Sequence, residues 1–388
     1  MALQQNIDRI QTTHIGSLPR PHALLDLMKA KYALQPYNQR TYDAMLAEAV
    51  KEAVRKQVEC GIDIVTDGEF SKPGFFTYIQ ERLEGFERRP DQKMKLFQKE
   101  VAAFPEYYAE YFKQAMMGGA IVGLAPVVCV SPAKYRGEQY VQTDIDNVKR
   151  AAAAAGVTDE HVFLPATAAS GVGVNEYYKS DEDYFHALAA ELGKEYRAIV
   201  DAGILVQIDD PFLPDIFFEP DLDRAQMQRR AEIYVEATNT ALKGIPPEKV
   251  RFHTCYGINE GPRLYEAALS DIIDYVLKIN AGSYSFEAAN PRHEHEYHLF
   301  ERIKLADGKV ICPGMITHAS NIVEHPELIA ERIVRFAKLV GRENVIAAAD
   351  CGFSSQALYR TEVHPTVVWE KFRALRQGAD LATKQLWR

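Results

Sequence analysis

Residues 250–257 read VRFHTCYG. The run has the look of a β-strand buried on both faces that ends in small and polar residues. His253 and Cys255 stand two apart, so on a strand both side chains leave the same face. An imidazole and a thiol side by side at a strand end are either packing or part of a metal site.

Seven further runs share this design: IQTTHIGS (10–17), IDIVTDGEF (62–70), VFLPATAAS (162–170), ILVQIDDP (204–211), SYSFEAAN (283–290), VICPGMITHAS (310–320) and VIAAADCGF (345–353). Between them lie segments with apolar residues at three- and four-residue spacing. Residues 42–61, 181–203 and 325–341 are expected helices ending on Gly61, Gly203 and Gly341, the natural C-terminal stop. Eight alternating β–α units predict a (β/α)8 barrel. Residues 72–119, aromatic and charged, are expected to be helical. The β-like AIVGLAPVVCVSPAKY (120–135) is expected to make an antiparallel excursion over the barrel mouth. The chain, 1–388, reads as one domain with an insertion at about 72–135 between units two and three.

Composition narrows the function classes. The 388 residues are 47% hydrophobic and 26% charged, enough for a large core, and the formal charge of −9 without a basic tract argues against nucleic acid. Five scattered cysteines (60, 129, 255, 312, 351) argue against a disulfide framework and for a reducing compartment. No apolar run has signal-peptide or membrane-span length. The expectation is a cytoplasmic protein acting on small molecules, with a homo-oligomer compatible with the sequence.

In a barrel the chemistry lies at the C-terminal ends of the strands. The polar residues there are Ser17, Asp67, Glu69, Thr167, Asp209, Asp210, His253, Cys255, Glu287, His318, Asp350 and Cys351. Four of them, His253, Cys255, Glu287 and Cys351, form a set on three strands. Imidazole with two thiolates favours zinc over magnesium or calcium. Singly, each is more often a packed core residue, because free cysteine is among the most buried residue types.

The motifs TTHIGSLPRP, DGEF, QIDDP, HTCYG, FEAAN, THAS and DCGFSS, in that order from about residue 10 to 355, resemble the catalytic barrel of cobalamin-independent methionine synthase and its single-barrel relatives. The resemblance implies zinc on His253, Cys255, Glu287 and Cys351, and His318 as proton donor. It also implies an amino-acid thiol held by Ile15, Gly16, Ser17, Glu69 and Asp209. The chemistry agrees: Glu69 and Asp209, with Asp215, suit an ammonium, while Gly16 and Ser17 can offer N–H and hydroxyl groups to a carboxylate. The implied reaction is methyl transfer to a homocysteine-like thiol, with 5-methyltetrahydrofolate as donor. Helix capping is the plain alternative for His318, and a strand-end turn for Asp209.

The chain departs from the family's pattern at the donor. The Arg-Cys pair and the Trp expected to contact a pterin are missing from GAIVGLAPVV and PATAASGVG. Only one barrel is read here, where full-length methionine synthases carry two. Epoxyalkane:coenzyme M transferases, similar zinc barrels, are therefore an alternative, with Arg20 and Lys72 as candidates for a sulfonate. A structural zinc protein is a third reading. Residues 292–298, RHEHEYH, read as a charged helical turn at the rim.

Overall fold

The computed structural model describes residues 6–92, 96–114, 119–257 and 260–387. Its strands are β1 (Leu83–Arg88), β2 (Val127–Tyr135), β3 (Phe163–Thr167), β4 (Val174–Asn175), β5 (Leu205–Asp209), β6 (Val250–His253), β7 (Ser283–Phe286), β8 (Val310–Ile316) and β9 (Ala348–Ala349). Six of them form one parallel sheet in the order β3-β5-β6-β7-β8-β9. Every residue of β3, β5, β6, β7, β8 and β9 is buried, as continuous apolar runs require when both faces are covered. Single parallel bridges tie Thr12 to Ala347, Thr13 to Ile64 and Val65 to Val162. The fold is therefore α/β, built on a parallel sheet of the kind found in TIM-like barrels.

The intervening helices start and stop where their sequences say. Ser180 caps Asp181–Asp201 by accepting the Asp183 N–H, and a reciprocal Asp223–Gln226 capping box opens Arg224–Ala241. Pro326–Val340 runs to Gly341, whose φ of +92° suits glycine.

Two expectations need correction. The runs at 10–17, 62–70 and 345–353 are ladder-bonded over only a few residues, through single bridges and the two-residue β9, because their remaining residues turn toward the strand-end loops. The insertion is only partly helical. Thr77–Glu81 is a short 3-10 turn and Gln98–Ala103 and Pro105–Gln114 are helices, but Leu83–Arg88 is a strand. It pairs antiparallel with β2, which also takes β4 as a parallel neighbour, so β2 has partners on both sides. Parts of the expected insertion (residues 93–95 and 115–118), and residues 1–5 and 388 of the expected domain, lie outside the described residues.

A buried arginine joins β6 to the segment that begins the chain's first apolar run. Arg251 donates to Thr13 Oγ1 and the His14 carbonyl, both at 2.9 Å, and its guanidinium lies 3.9 Å from the Phe163 ring centre. It therefore fastens β6 to the chain end that carries Ile15, Gly16 and Ser17. Among the described residues no helix is long and apolar enough to cross a membrane.

Candidate metal and thiol site

His253 closes β6 and Cys255 follows two residues on, while Cys351 lies two residues beyond β9. One ligand atom from each of the three falls within 4.8 Å of the other two, and all three residues are buried. The Cys255 and Cys351 sulfurs are 3.1 Å apart and both thiols are free. Neither ring nitrogen of His253 makes a hydrogen bond of good geometry among the described residues. Burial, then the charge of Arg251, pushes His253 down to about 3, so it is the neutral imidazole that metals bind. The neighbouring Cys255 sulfur, then burial and Glu287, hold the Cys351 thiol well above its usual range. Buried, unpartnered imidazole and paired thiols this close fit one zinc ion, whose ligands at ~2.0–2.3 Å lie within about 4.6 Å of each other.

The fourth expected ligand, Glu287, follows β7 directly and groups with His318 and Asp350 instead, again within 4.8 Å. Its carboxylate takes Arg263 Nη2 at 3.0 Å, the Tyr256 N–H at 3.2 Å and Asn290 Nδ2 at 3.3 Å. Opposed by burial, the charges of Arg263, His318 and His293 hold Glu287 below its ordinary value. Arg263 is itself buried, pairs with Glu266 and adopts a left-handed φ of +56°, an uncommon conformation that persists only where surroundings impose it. His293 stacks on Tyr256 at 4.1 Å and bonds Glu296 and Glu266 at 2.8 and 3.1 Å. Asp350 Oδ1 accepts the N–H groups of Ala288 and Ala289, both at 2.8 Å, and so fixes the loop after Glu287. His318 follows β8, is buried, and is pushed down to about 4 chiefly by burial.

Ile15, Ser17, Glu69 and Asp209 line the same cavity as His253, Cys255 and Cys351. The DGEF turn explains how Glu69 gets there. Asp67 Oδ1 accepts the Glu69 N–H at 2.9 Å, and Gly68 and Glu69 take φ of +73° and +59°, which turns the chain sharply. Gly16 is equally constrained: a Cβ there would sit 2.7 Å from Pro165 Cγ and 2.9 Å from Glu69 Oε1. Asp209 closes β5 and accepts Gln207 Nε2 at 2.7 Å; burial, then the facing Glu69, drive its carboxyl well above the ordinary range. Asp215 does not join this group. The short helix Phe212–Asp215 carries it into an adjoining aromatic cavity.

Arg20 and Lys72 are spent on the backbone. Arg20 donates to the carbonyls of Ser354, Glu69 and Lys72 at 2.8–2.9 Å, which ties three strand-end loops together. Lys72 donates to the Pro165 carbonyl at 2.6 Å and stands 3.5 Å from Glu69. In the 292–298 turn, His295 and His298 are exposed, while His293 is the buried member of the network around Glu287. Sequence reasoning noted the closeness of the 292–298 turn to Glu287 but missed Arg263 and Tyr256 as its neighbours, and did not single out His293. The nearness of His293 to FEAAN was the one available signal.

These features define a candidate strand-end metal site with two thiols on an α/β sheet. The family model described as the catalytic domain of cobalamin-independent synthase matches residues 10–135 and 146–367, and the chain belongs to the cobalamin-independent methionine synthase family, a family of methyltransferases. Among its relatives, a methionine synthase of Thermococcus kodakarensis is 25% identical over 98% of this chain and 95% of its own length. A 5-methyltetrahydropteroyltriglutamate–homocysteine methyltransferase of Thermotoga maritima is 21% identical over 90% of this chain, which spans 42% of that protein. The fold is similar to the B12-independent methionine synthase from Shewanella sp. W3-18-1, solved with selenomethionine. The TM-score is 0.70, with 19% identity and coverage of 97% of this chain and 99% of that one.

Proposed function

We propose that this chain methylates the sulfur of an amino-acid thiol of the homocysteine type, using a zinc ion held by His253, Cys255, Cys351 and Glu287. One observation carries the reading: the cavity bearing the imidazole and both thiols is also lined by two carboxylates, Glu69 and Asp209. A thiol ligand that brings an ammonium group matches those walls. A sulfonate such as that of coenzyme M does not, since Arg20 and Lys72 are engaged by backbone carbonyls. The names of the curated relatives support the same acceptor and bring 5-methyltetrahydrofolate as one donor class.

Zinc, when bound, supplies the positive charge that lets a thiol bind as thiolate near neutral pH and stay nucleophilic. Ser17 and Ser355, whose hydroxyl oxygens are 3.4 Å apart on the cavity wall, can receive the substrate carboxylate. Glu287 would complete the set that holds the ion, and with Arg263 3.0 Å away to compensate its charge it would be the member suited to release its hold when a thiol binds. An amine leaving group would draw its proton from His318; a cationic one needs none. We extend the proposal to the scaffold. The bridges at Thr12, Thr13 and Val65 support closure of the sheet into a complete (β/α)8 barrel. The β1–β2 hairpin is then the excursion at its mouth, and residues 1–388 form one domain.

The test is Asp209→Asn, which keeps the shape and removes the charge. Homocysteine should bind the zinc-loaded variant roughly 10–150-fold more weakly, the worth of a hydrogen bond to a charged group, while zinc content stays unchanged. Titration calorimetry with homocysteine reads this directly. Unchanged affinity would make Asp209 a structural residue and remove the support for an ammonium-bearing substrate.

A further inference from the structure

Beside the metal cavity lies a second one of 110 Å³, lined by the rings of Phe75, Phe76, Phe97, Phe212, Phe218 and Tyr256. The two share Phe75, Pro211, Gly257 and Ser355, so a group seated in the second faces the first. Three of the rings hold one another. Phe75 and Phe76 meet edge to face at 4.9 Å, Phe76 and Phe212 at 5.7 Å, and Phe75 stacks on Phe212 at 6.3 Å.

Among the described residues the charged side chains of this aromatic wall are Asp215, Glu219 and Lys99. Among the described residues the Asp215 carboxylate has no hydrogen-bond or ion-pair partner, and Glu219 takes only Gln98 Nε2 at 3.3 Å. Burial, then Asp210, Glu219 and Glu266, push Asp215 up to about 8, a cost that a bound cation would relieve. Beyond the Phe76–Phe212 pair, a further cavity of 260 Å³ has no charged side chain among the described residues of its lining.

Aromatic faces backed by carboxylates are the recognition chemistry of sulfonium and quaternary ammonium groups. The cavity has room for an onium head of a few atoms.

We infer that the methyl donor of this enzyme is an onium compound, a sulfonium or quaternary ammonium, whose charged head occupies this aromatic cavity and whose uncharged tail follows the groove past Phe76 and Phe212. The inference rests on the thiol-transfer reading above and names its second substrate. The thiolate lone pair forms the new C–S bond at the donor's methyl carbon. The old bond from that carbon to S⁺ or N⁺ breaks, and its electron pair stays on the heteroatom, which departs as a neutral thioether or tertiary amine. No proton moves, in keeping with His318 lining neither cavity.

Binding is tested with choline and its uncharged isostere 3,3-dimethylbutan-1-ol, titrated into the zinc-loaded protein. Choline should bind at least about tenfold more tightly. Phe212→Ala should weaken both ligands, whereas Asp215→Asn should weaken choline alone. Equal affinity for the two ligands would overturn the inference.

Transfer to homocysteine is tested with trimethylsulfonium, iodomethane and 5-methyltetrahydrofolate. Iodomethane needs no donor site and reports on the thiol half alone. Trimethylsulfonium should also react, and Phe212→Ala should slow it while leaving iodomethane unaffected. Reaction with iodomethane but not with trimethylsulfonium, or faster transfer from 5-methyltetrahydrofolate, would overturn the onium donor and leave the thiol reading standing. Failure of iodomethane as well would overturn both.

Discussion

Replacing Cys351 with serine is expected to abolish tight zinc binding while leaving the chain folded. The three ligand-type residues are buried around one point, and Cys351 comes from the opposite edge of the parallel ladder from β3, far in sequence from the His253–Cys255 pair. A serine hydroxyl fills the space but gives no soft, anionic ligand at neutral pH. Zinc affinity should fall by more than about a hundredfold, beyond the 10–100-fold that changes outside the ligand set produce. The metal-free variant should keep its stability to within about 1 kcal/mol, since only one weak sulfur contact is exchanged. The clearest readout is the rise in Tm on adding zinc, large for the parent and absent for the variant. A variant that still takes up one tightly held zinc would remove Cys351 from the ligand set.

His318→Asn is the second change with a large expected effect, and its size depends on the donor. With a donor that leaves as an amine, loss of the proton should cost ~10²–10⁴-fold in the chemical step. With a sulfonium donor the loss should be small, because the thioether leaves neutral. Homocysteine binding should survive in both cases. Single-turnover rates with 5-methyltetrahydrofolate and with trimethylsulfonium separate the two. Equal losses would make His318 a positioning residue that holds Glu287 and Asp350, its neighbours within 4.8 Å.

Much of the site was legible because strand periodicity is short-range. His253 and Cys255 share a face by their spacing alone, and Glu69, Asp209, Glu287 and Cys351 each end an apolar run. What was not legible depends on loops and on chain folding at long range. Arg263 reaches Glu287 from a segment without periodicity, in a backbone conformation that nothing in its own identity announces. Asp215 lies six residues from Asp209, yet one short helix is enough to carry it into a different cavity. Phe75 and Phe76 are far along the chain from Phe212, and only the folded chain shows that they share one wall. Leu83–Arg88 carries an apolar pattern too weak to announce a strand, and it becomes one because β2 needs a partner.

Zinc K-edge X-ray absorption, recorded on the loaded enzyme before and after adding homocysteine, tests thiolate capture most directly. The resting ion should show two sulfur neighbours, from Cys255 and Cys351, with one nitrogen from His253 and one oxygen from Glu287. Homocysteine should raise the sulfur count to three and displace the oxygen. One proton per chain should appear in weakly buffered solution as the thiol becomes a thiolate. A sulfur count that stays at two, with homocysteine bound and no proton released, would contradict a zinc-bound thiolate as the nucleophile.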